Sequence, residues 1–452
     1  MDGHLLRPER VDALRPALPF AMLTFEAALA LVRQKIREKI GAPLVPLAVE
    51  TVPLSASRGR VLAENLAADR DYPPFDRSTR DGFAVRAADL AQVPATLEIL
   101  GTARAGSPFA AGVDSGSTVE IMTGAPLPEG ADAVVMVEYT REPGASAPGV
   151  GAAAGGGAGA GSGAGTDRRV EILRSVQALD NVVRRGSEAA AGSRVLSSGR
   201  RLGPGEIGLA AALGRASVSV FARPRVAILP TGDEVVPVEQ QPAWFEIRNS
   251  NALALAAQVE AAGGVPCLLG IAPDRKDALR SLIEQGLDSD LLVLSGGISV
   301  GKYDFVAEIL ADLGAEFYFQ GVAIRPGKPL AFGQARERFF FGLPGNPVST
   351  FVTFELFARP AIALLGGADF DAPVLLKARL ARPVRQKTGL SVFMPARVTL
   401  DPGRADPVVE LVGWQGSGDL VGLAEANCFL ALRPEQTEAA AGDWVDVLPK
   451  SW

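Results

Sequence analysis

The sequence predicts a multidomain α/β and β protein with a central, doubly wound α/β domain. Three observations carry this. Between residues 225 and 366, short apolar runs alternate with helical stretches of about ten residues or more, as strands do when they cross over through helices into a parallel sheet. Before and after that segment the apolar runs are shorter and broken by glycine and proline, which reads as small β domains. At 452 residues the chain is too long for one ordinary core.

The elements follow in order. Residues 24–40 read as a helix, with Thr24 as N-cap and Ala27, Ala28, Leu31, Val32 and Ile36 at helical spacing. Gly41 and Pro43 end it. Residues 71–82 are rich in turn formers. Leu97-Glu98-Ile99-Leu100 and Ala133-Val134-Val135-Met136-Val137 then read as strands of a β domain at 71–143. Residues 144–167 are nearly all Gly, Ala and Ser. They have little apolar area to set against ordering entropy, so a flexible surface insertion is expected. In the α/β domain (residues 223–366), strands are expected at 226–230, 265–271 and 291–294, and helices at 251–262, 276–285 and 349–365. A C-terminal β domain at 367–452 is read from runs at 374–379 and 444–448.

Composition removes several function classes. The net charge of −6 argues against a nucleic-acid coat, which needs a basic face. His4 is the only histidine, so histidine bases, Ser-His-Asp triads and His-ligated zinc are excluded. The two cysteines, Cys267 and Cys428, lie far apart and suggest neither a disulfide framework nor a thiolate zinc site. No uninterrupted apolar run of about 18 residues and no signal peptide is evident, so neither membrane contact nor export is expected; the expected compartment is the cytoplasm.

Chemistry concentrates where an open α/β sheet binds ligands, beyond the carboxyl ends of its strands. Four loops stand there: Thr231-Gly232-Asp233-Glu234; Ala272-Pro273-Asp274; a longer loop carrying Ser295, Gly296, Gly297, Ser299, Gly301 and Asp304; and Pro344-Gly345-Asn346-Pro347, which opens the helix containing Ser349. Glycines allow close backbone approach to an anion, and free amides at a helix start attract it. Arg325 and Lys328 add two cations on a proline-stiffened loop. No GxGxxG follows a strand candidate, and no GxxxxGK[ST] motif is present. Asp233, Asp274 and Asp304 suit Mg²⁺ beside a phosphate site, although Asp233 and Asp274 equally suit turn or helix caps.

Seven segments together resemble the molybdopterin molybdenumtransferase family, the MoeA-like proteins and the E domain of gephyrin. They are Pro73-Pro74-Phe75-Asp76-Arg77-Ser78-Thr79-Arg80-Asp81-Gly82-Phe83-Ala84, Met122-Thr123-Gly124-Ala125-Pro126, Arg184-Arg185-Gly186-Ser187-Glu188, Thr231-Gly232-Asp233-Glu234, and residues 295–304, 325–333 and 342–349. The resemblance implies a discontinuous N-terminal helical domain (22–70 and 168–222) with the β domain inserted in it, and a molybdopterin-binding α/β domain. It implies an Mg²⁺-dependent enzyme that takes adenylylated molybdopterin and molybdate, cleaves the phosphoanhydride and yields molybdenum cofactor and AMP. A homodimer is implied, with a molybdopterin adenylyltransferase as substrate donor and apo-molybdoenzymes or their chaperones as acceptors. By position, Ser299 and Asp304 handle the phosphoanhydride and metal. Arg325, Lys328 and Ser349 face molybdate, joined by Arg397 and Ser417. Asp81, Thr123 and Glu188 face the cleft across the dimer. Arg325 stands where the family usually has Lys; Arg80, Lys302 and the stretch Arg248-Asn249-Ser250-Asn251 also depart from its pattern. The alternatives are a non-catalytic scaffold of the same fold, or a molybdopterin adenylyltransferase. The acids and both loop cations argue against the first, and the additional β domains against the second.

Overall fold

The structure, a computed structural model, describes residues 22–41, 47–143, 168–297, 305–370, 372–387, 389–400, 403 and 406–450. Residues 64–197 with 208–215 form one compact unit, and the remaining described chain forms a second, larger one. The segment 144–167 and the loop positions Ser299, Gly301, Lys302 and Asp304 lie outside the described residues.

The larger unit is organised by a six-stranded sheet. Its strands are β1 (Arg225–Pro230), β2 (Val265–Leu268), β3 (Leu291–Ser295), β4 (Glu316–Gln320), β5 (Ala331–Ala335) and β6 (Arg338–Leu343). Their spatial order is β2-β1-β3-β6-β5-β4. The helices are α1 (Phe25–Ile40), α2 (Ser250–Ala262), α3 (Lys276–Gly286), α4 (Phe305–Asp312) and α5 (Pro347–Leu365). Odd and even strand positions face opposite layers. Val226, Ile228, Leu291, Val293, Phe339 and Phe341 pack with α1, α2 and α5. Ala227, Leu229, Leu292, Leu294 and Phe340 pack with α3 and α4. Burial on both faces is why β1, β3 and β6 read as unbroken apolar runs rather than alternating ones.

Two differences from the sequence reading stand out. The sheet is mixed, not wholly parallel: β5 pairs antiparallel with β6 and with β4. The β5–β6 hairpin turns on Arg336 and Glu337, both at positive φ (46° and 63°), without the Asn or Gly that announces such a turn. Gly333 in β5 has a physical reason to lack a side chain, since a Cβ there would stand 2.4 Å from the Glu316 carbonyl oxygen. Secondly, among the described residues one helix is long and apolar enough to cross a membrane. It is α5, 19 residues, with most of its apolar stretch buried inside the protein's own core. Its Glu355–Arg359 ion pair and scattered threonines interrupt the apolar run in the sequence.

α1 begins as expected: the Thr24 hydroxyl accepts from the Ala27 amide, and Gly41 closes the helix. Read as the start of a separate helical domain, α1 buries Ala28, Leu29, Val32 and Ile36 in the same layer as α2 and α5.

Five C-terminal strands close on themselves. Ser391–Thr399 pairs with both Val408–Leu411 and Cys428–Leu432, while Leu376–Leu380 and Trp444–Pro449 complete the ring. Closure leaves no unpaired edge around a core of small and branched side chains such as Ala378, Val392, Ala396, Val409 and Val447. The short strand Ile324–Arg325 joins this barrel by pairing with Ser391 and Val392.

In the smaller unit a six-stranded sheet runs Ala133–Met136, Gly82–Val85, Ser117–Ile121, Ala95–Ala103, Arg169–Ile172, Thr140–Arg141. The residues around the Gly/Ala segment thus pair antiparallel, Arg141 opposite Glu171. Gly82 is required by packing, because a Cβ there would overlap the Val135 carbonyl.

Candidate active site

Three of the predicted loops meet at the carboxyl edge of β1, β3 and β6. The Thr231 amide donates to the Ser295 carbonyl (3.0 Å), and the Gly296 amide donates to the Leu343 carbonyl (3.1 Å). Gly296 and Gly297 adopt φ of 91° and 67°, and a Cβ on Gly297 would stand 2.6 Å from the Thr231 hydroxyl. Glycine is therefore fixed here both by conformation and by close approach. Gly345 lies against Gly296 in turn. The Thr231 hydroxyl, in a residue 5 % exposed, has no hydrogen-bond partner among the described residues. Buried hydroxyls are ordinarily satisfied, so this one is a donor and acceptor held in reserve.

Asn251, in the first turn of α2, ties these loops together. Its side-chain amide donates to the Ser295 hydroxyl (2.9 Å) and the Gly345 carbonyl (2.7 Å), with the Thr350 hydroxyl at 3.4 Å. Thr350 also donates to the Pro344 carbonyl (2.6 Å). Neither residue was picked out as functional from the sequence. The available signal was an Asn just inside a helix start that was already capped by Asn249, and so was free for another task.

The acids gather on the neighbouring loop. The Asp274 amide donates to the Asp233 carboxylate (2.9 Å), which fixes the two loops together. Burial first, then the charges of Asp233 and Glu234, push the Asp274 carboxyl above the usual carboxylate range. Glu234, absent from the expected set, folds its carboxylate over Gly232, whose φ is 135°. Among the described residues no group of three acids is placed to hold a metal ion.

The cations stand on the loop after the Ile324–Arg325 strand. Gly327 (φ 110°) packs on the first turns of α5; a Cβ would meet Thr353 at 2.4 Å and the Ser349 carbonyl at 3.7 Å. Arg325 and Lys328 flank it, both exposed and neither paired with a carboxylate among the described residues. Ser349 is 4 % exposed. The helix start itself offers fewer free amides than the sequence suggested. Pro347 has none, and the Val348 amide donates to the Ser417 carbonyl at 2.9 Å. Any anion held there must rely on the two cations more than on the helix end. Ser417 is thus brought to this edge through its backbone. Arg397 gives Nε and Nη2 to the Glu425 carbonyl, at the end of the short helix Leu420–Glu425.

In the smaller unit, Asp81 and Thr123 are brought together. The Asp81 carboxylate accepts from the Thr123 amide (2.6 Å) and hydroxyl (2.8 Å). Glu188 pairs with Arg77 at 2.9 Å. Asp76 accepts from the Arg185 amide, so the segments around residues 73–84, 122–126 and 184–188 form one cluster. The two Thr123 hydrogen bonds, the amide first, hold the Asp81 carboxyl below the usual carboxylate range. A depressed pKa stabilises the fold above the unfolded value and loses that contribution as pH falls through the folded one. Asp81→Asn is expected to cost about 1 kcal/mol at neutral pH, discounted for exposure, and to flatten the stability profile below about pH 4. Urea midpoints of both proteins at pH 7 and pH 3 check this; equal differences at the two pH values would refute it.

An open α/β sheet whose carboxyl-edge loops present glycine backbone, with two cations unpaired by carboxylates among the described residues on a loop packed against α5, is an arrangement typical of α/β enzymes. Residues 23–214 match the family model of the MoeA N-terminal region (domain I and II), residues 227–364 a probable molybdopterin binding domain, and residues 377–450 the MoeA C-terminal region (domain IV). The chain belongs to the MoeA family. It is 35 % identical over 407 residues to the molybdopterin molybdenumtransferase of Bacillus subtilis, covering 88 % of this chain and 89 % of that one. The enzyme of the same name from Haemophilus influenzae is 32 % identical over 431 residues, covering 95 % and 98 %. The crystal structure of a molybdopterin biosynthesis MoeA protein from Pyrococcus horikoshii superposes with a TM-score of 0.73 at 27 % identity, over 95 % of this chain and all of that one.

Proposed function

We propose that this chain is the molybdenum insertase of molybdenum-cofactor biosynthesis: it binds adenylylated molybdopterin and molybdate, cleaves the phosphoanhydride, and yields molybdenum cofactor and AMP. The observation that carries this is the meeting of the Thr231, Gly296–Gly297 and Gly345 backbones at one sheet edge, with the reserve hydroxyl of Thr231 among them. Such a cradle suits a phosphate, and the Arg325–Lys328 loop packed on α5 suits a compact dianion such as molybdate. Cleavage of a phosphoanhydride is mainly positioning and charge neutralisation, which this chain supplies without histidine. The cradle orients the phosphates and the cations offset charge on the oxygens; a water oxygen bonds to the adenylyl phosphorus as its bond to the bridging oxygen breaks, so that AMP leaves, the pterin keeps its own phosphate and the water's protons pass to solvent.

Mg²⁺ fits the donor set. Burial first, and then repulsion from Asp233 and Glu234, raise Asp274; a divalent cation offsets both, and Mg²⁺ commonly takes only one or two carboxylates and completes its shell with phosphate oxygens and water. Asp233 and Asp274 would hold it with Asp304, and it would neutralise phosphate charge. We further propose that the enzyme works as a cytoplasmic homodimer, supplied by an adenylyltransferase and emptied by apo-molybdoenzymes or their chaperones.

The test is AMP release from adenylylated molybdopterin by the purified chain with Mg²⁺, with and without molybdate. Release that depends on molybdate is expected. A folded protein that binds the pterin yet releases no AMP would leave the scaffold reading instead.

A further inference from the structure

The segment between the Asp233–Glu234 loop and Asn251 forms a strap that leaves the site and returns to it. Its two feet pair in parallel, Val235–Val236 with Ile247–Arg248. The Ile247 amide donates to the Glu234 carbonyl (2.8 Å), and the Asn249 amide to the Val236 carbonyl (2.8 Å). The span between is braced internally. The Ala243 amide donates to the Glu246 carboxylate (2.8 Å), and Arg248 reaches back to the Gln240 carbonyl and the Gln241 side chain. On this braced span stand Trp244, 95 % exposed, and Phe245, 60 % exposed, in edge-to-face contact at 5.5 Å. Ile247, 58 % exposed, stands on the returning foot, whose backbone is bonded to Glu234.

A rigid turn that holds a bare indole in water carries a cost that the strap's own fold does not repay, since Trp244 packs on little but Phe245. Reach is bounded by the chain itself. Trp244 is three residues from Ile247, which is bonded to Glu234, so its Cα lies within about 11 Å of that foot. We propose that Trp244 and Phe245 are the stacking platform for a flat fused-ring heterocycle at the end of the substrate whose phosphates the Thr231–Gly297 cradle holds. This rests on the proposed function and deepens it. Two such rings are available in an adenylylated pterin, the purine and the pterin, and stacking serves either because both present a π face.

Calorimetric titration of the full chain with AMP, and separately with a simple pterin such as neopterin, distinguishes them. With Trp244→Ala, affinity for one of the two ligands is expected to fall roughly tenfold, within the range of base–aromatic stacking. Trp244→Phe is expected to restore most of it, and the KM for adenylylated molybdopterin should rise with kcat little changed. The side chain is almost wholly exposed, so the variant keeps its fold. A Trp244→Ala protein that binds both ligands as the parent does overturns the platform, and so does one that binds normally but sediments at a lower mass, which would make the strap a contact between copies. A parent chain that binds neither ligand nor substrate removes the proposed function itself, a result separate from the first.

Discussion

Lys328→Ala is expected to lower molybdate-dependent AMP release by about 10²–10³-fold in kcat/KM, the loss typical of removing one charge-stabilising group from an active site. Lys328 is exposed and pairs with no carboxylate among the described residues, so its removal leaves no buried partner stranded and the fold should stand. The loop that carries it is packed on α5 through Gly327, and the neighbouring peptides need no lysine side chain to hold that contact. The rate loss therefore reports chemistry rather than unfolding. Lys328→Arg should recover part of it, because charge is kept while geometry changes. The check is steady-state kinetics at several molybdate concentrations. An effect confined to the molybdate KM would show uniform binding, and an unchanged kcat/KM would remove Lys328 from the site.

Glu355→Ala should have the largest effect on stability. Glu355 is 4 % exposed on the helix turn Phe354–Ala358, where the winding widens to i→i+5. Its carboxylate accepts from Arg359 Nε (2.6 Å) and from Gln258 Nε2 (2.7 Å), linking α5 to α2. Truncation removes the counter-charge of a largely buried guanidinium and one partner of a buried amide. Breaking such a pair from one side costs about 3–5 kcal/mol. Glu355→Gln, which keeps an acceptor oxygen, should cost clearly less. Urea unfolding followed by circular dichroism measures both. Similar midpoints for the two variants would show that the lost charge alone sets the cost, and that the volume and acceptor oxygen glutamine keeps contribute little.

Much of the α/β domain was legible because its strands are buried on both faces and its helices are long. The run Val226-Ala227-Ile228-Leu229 and the capped helix α1 could hardly be read otherwise. The antiparallel edge was not legible. Its hairpin turns on Arg336-Glu337, which carry no turn signature, and Gly333 serves packing rather than a bend. At the site, the glycine loops were visible because φ above zero restricts the residue type. Asn251 was not, since its role depends on three loops far apart in sequence meeting at one edge. The reduced anion capacity of the α5 start was equally hidden, because the Ser417 carbonyl that occupies the Val348 amide comes from the barrel some seventy residues later.

The hairpin of the smaller unit that joins Thr140–Arg141 to Arg169–Ile172 has a consequence for handling the protein. Its two ends are held by strand pairing and by the Arg141–Glu171 ion pair, independently of what connects them. The closure cost of a connection rises only with the logarithm of its length, about 0.6 kcal/mol per doubling. Residues 144–167 are therefore a natural place to graft an affinity tag, a fluorophore-bearing peptide or a reporter domain, and shortening them to a tight turn should leave the surrounding sheet intact.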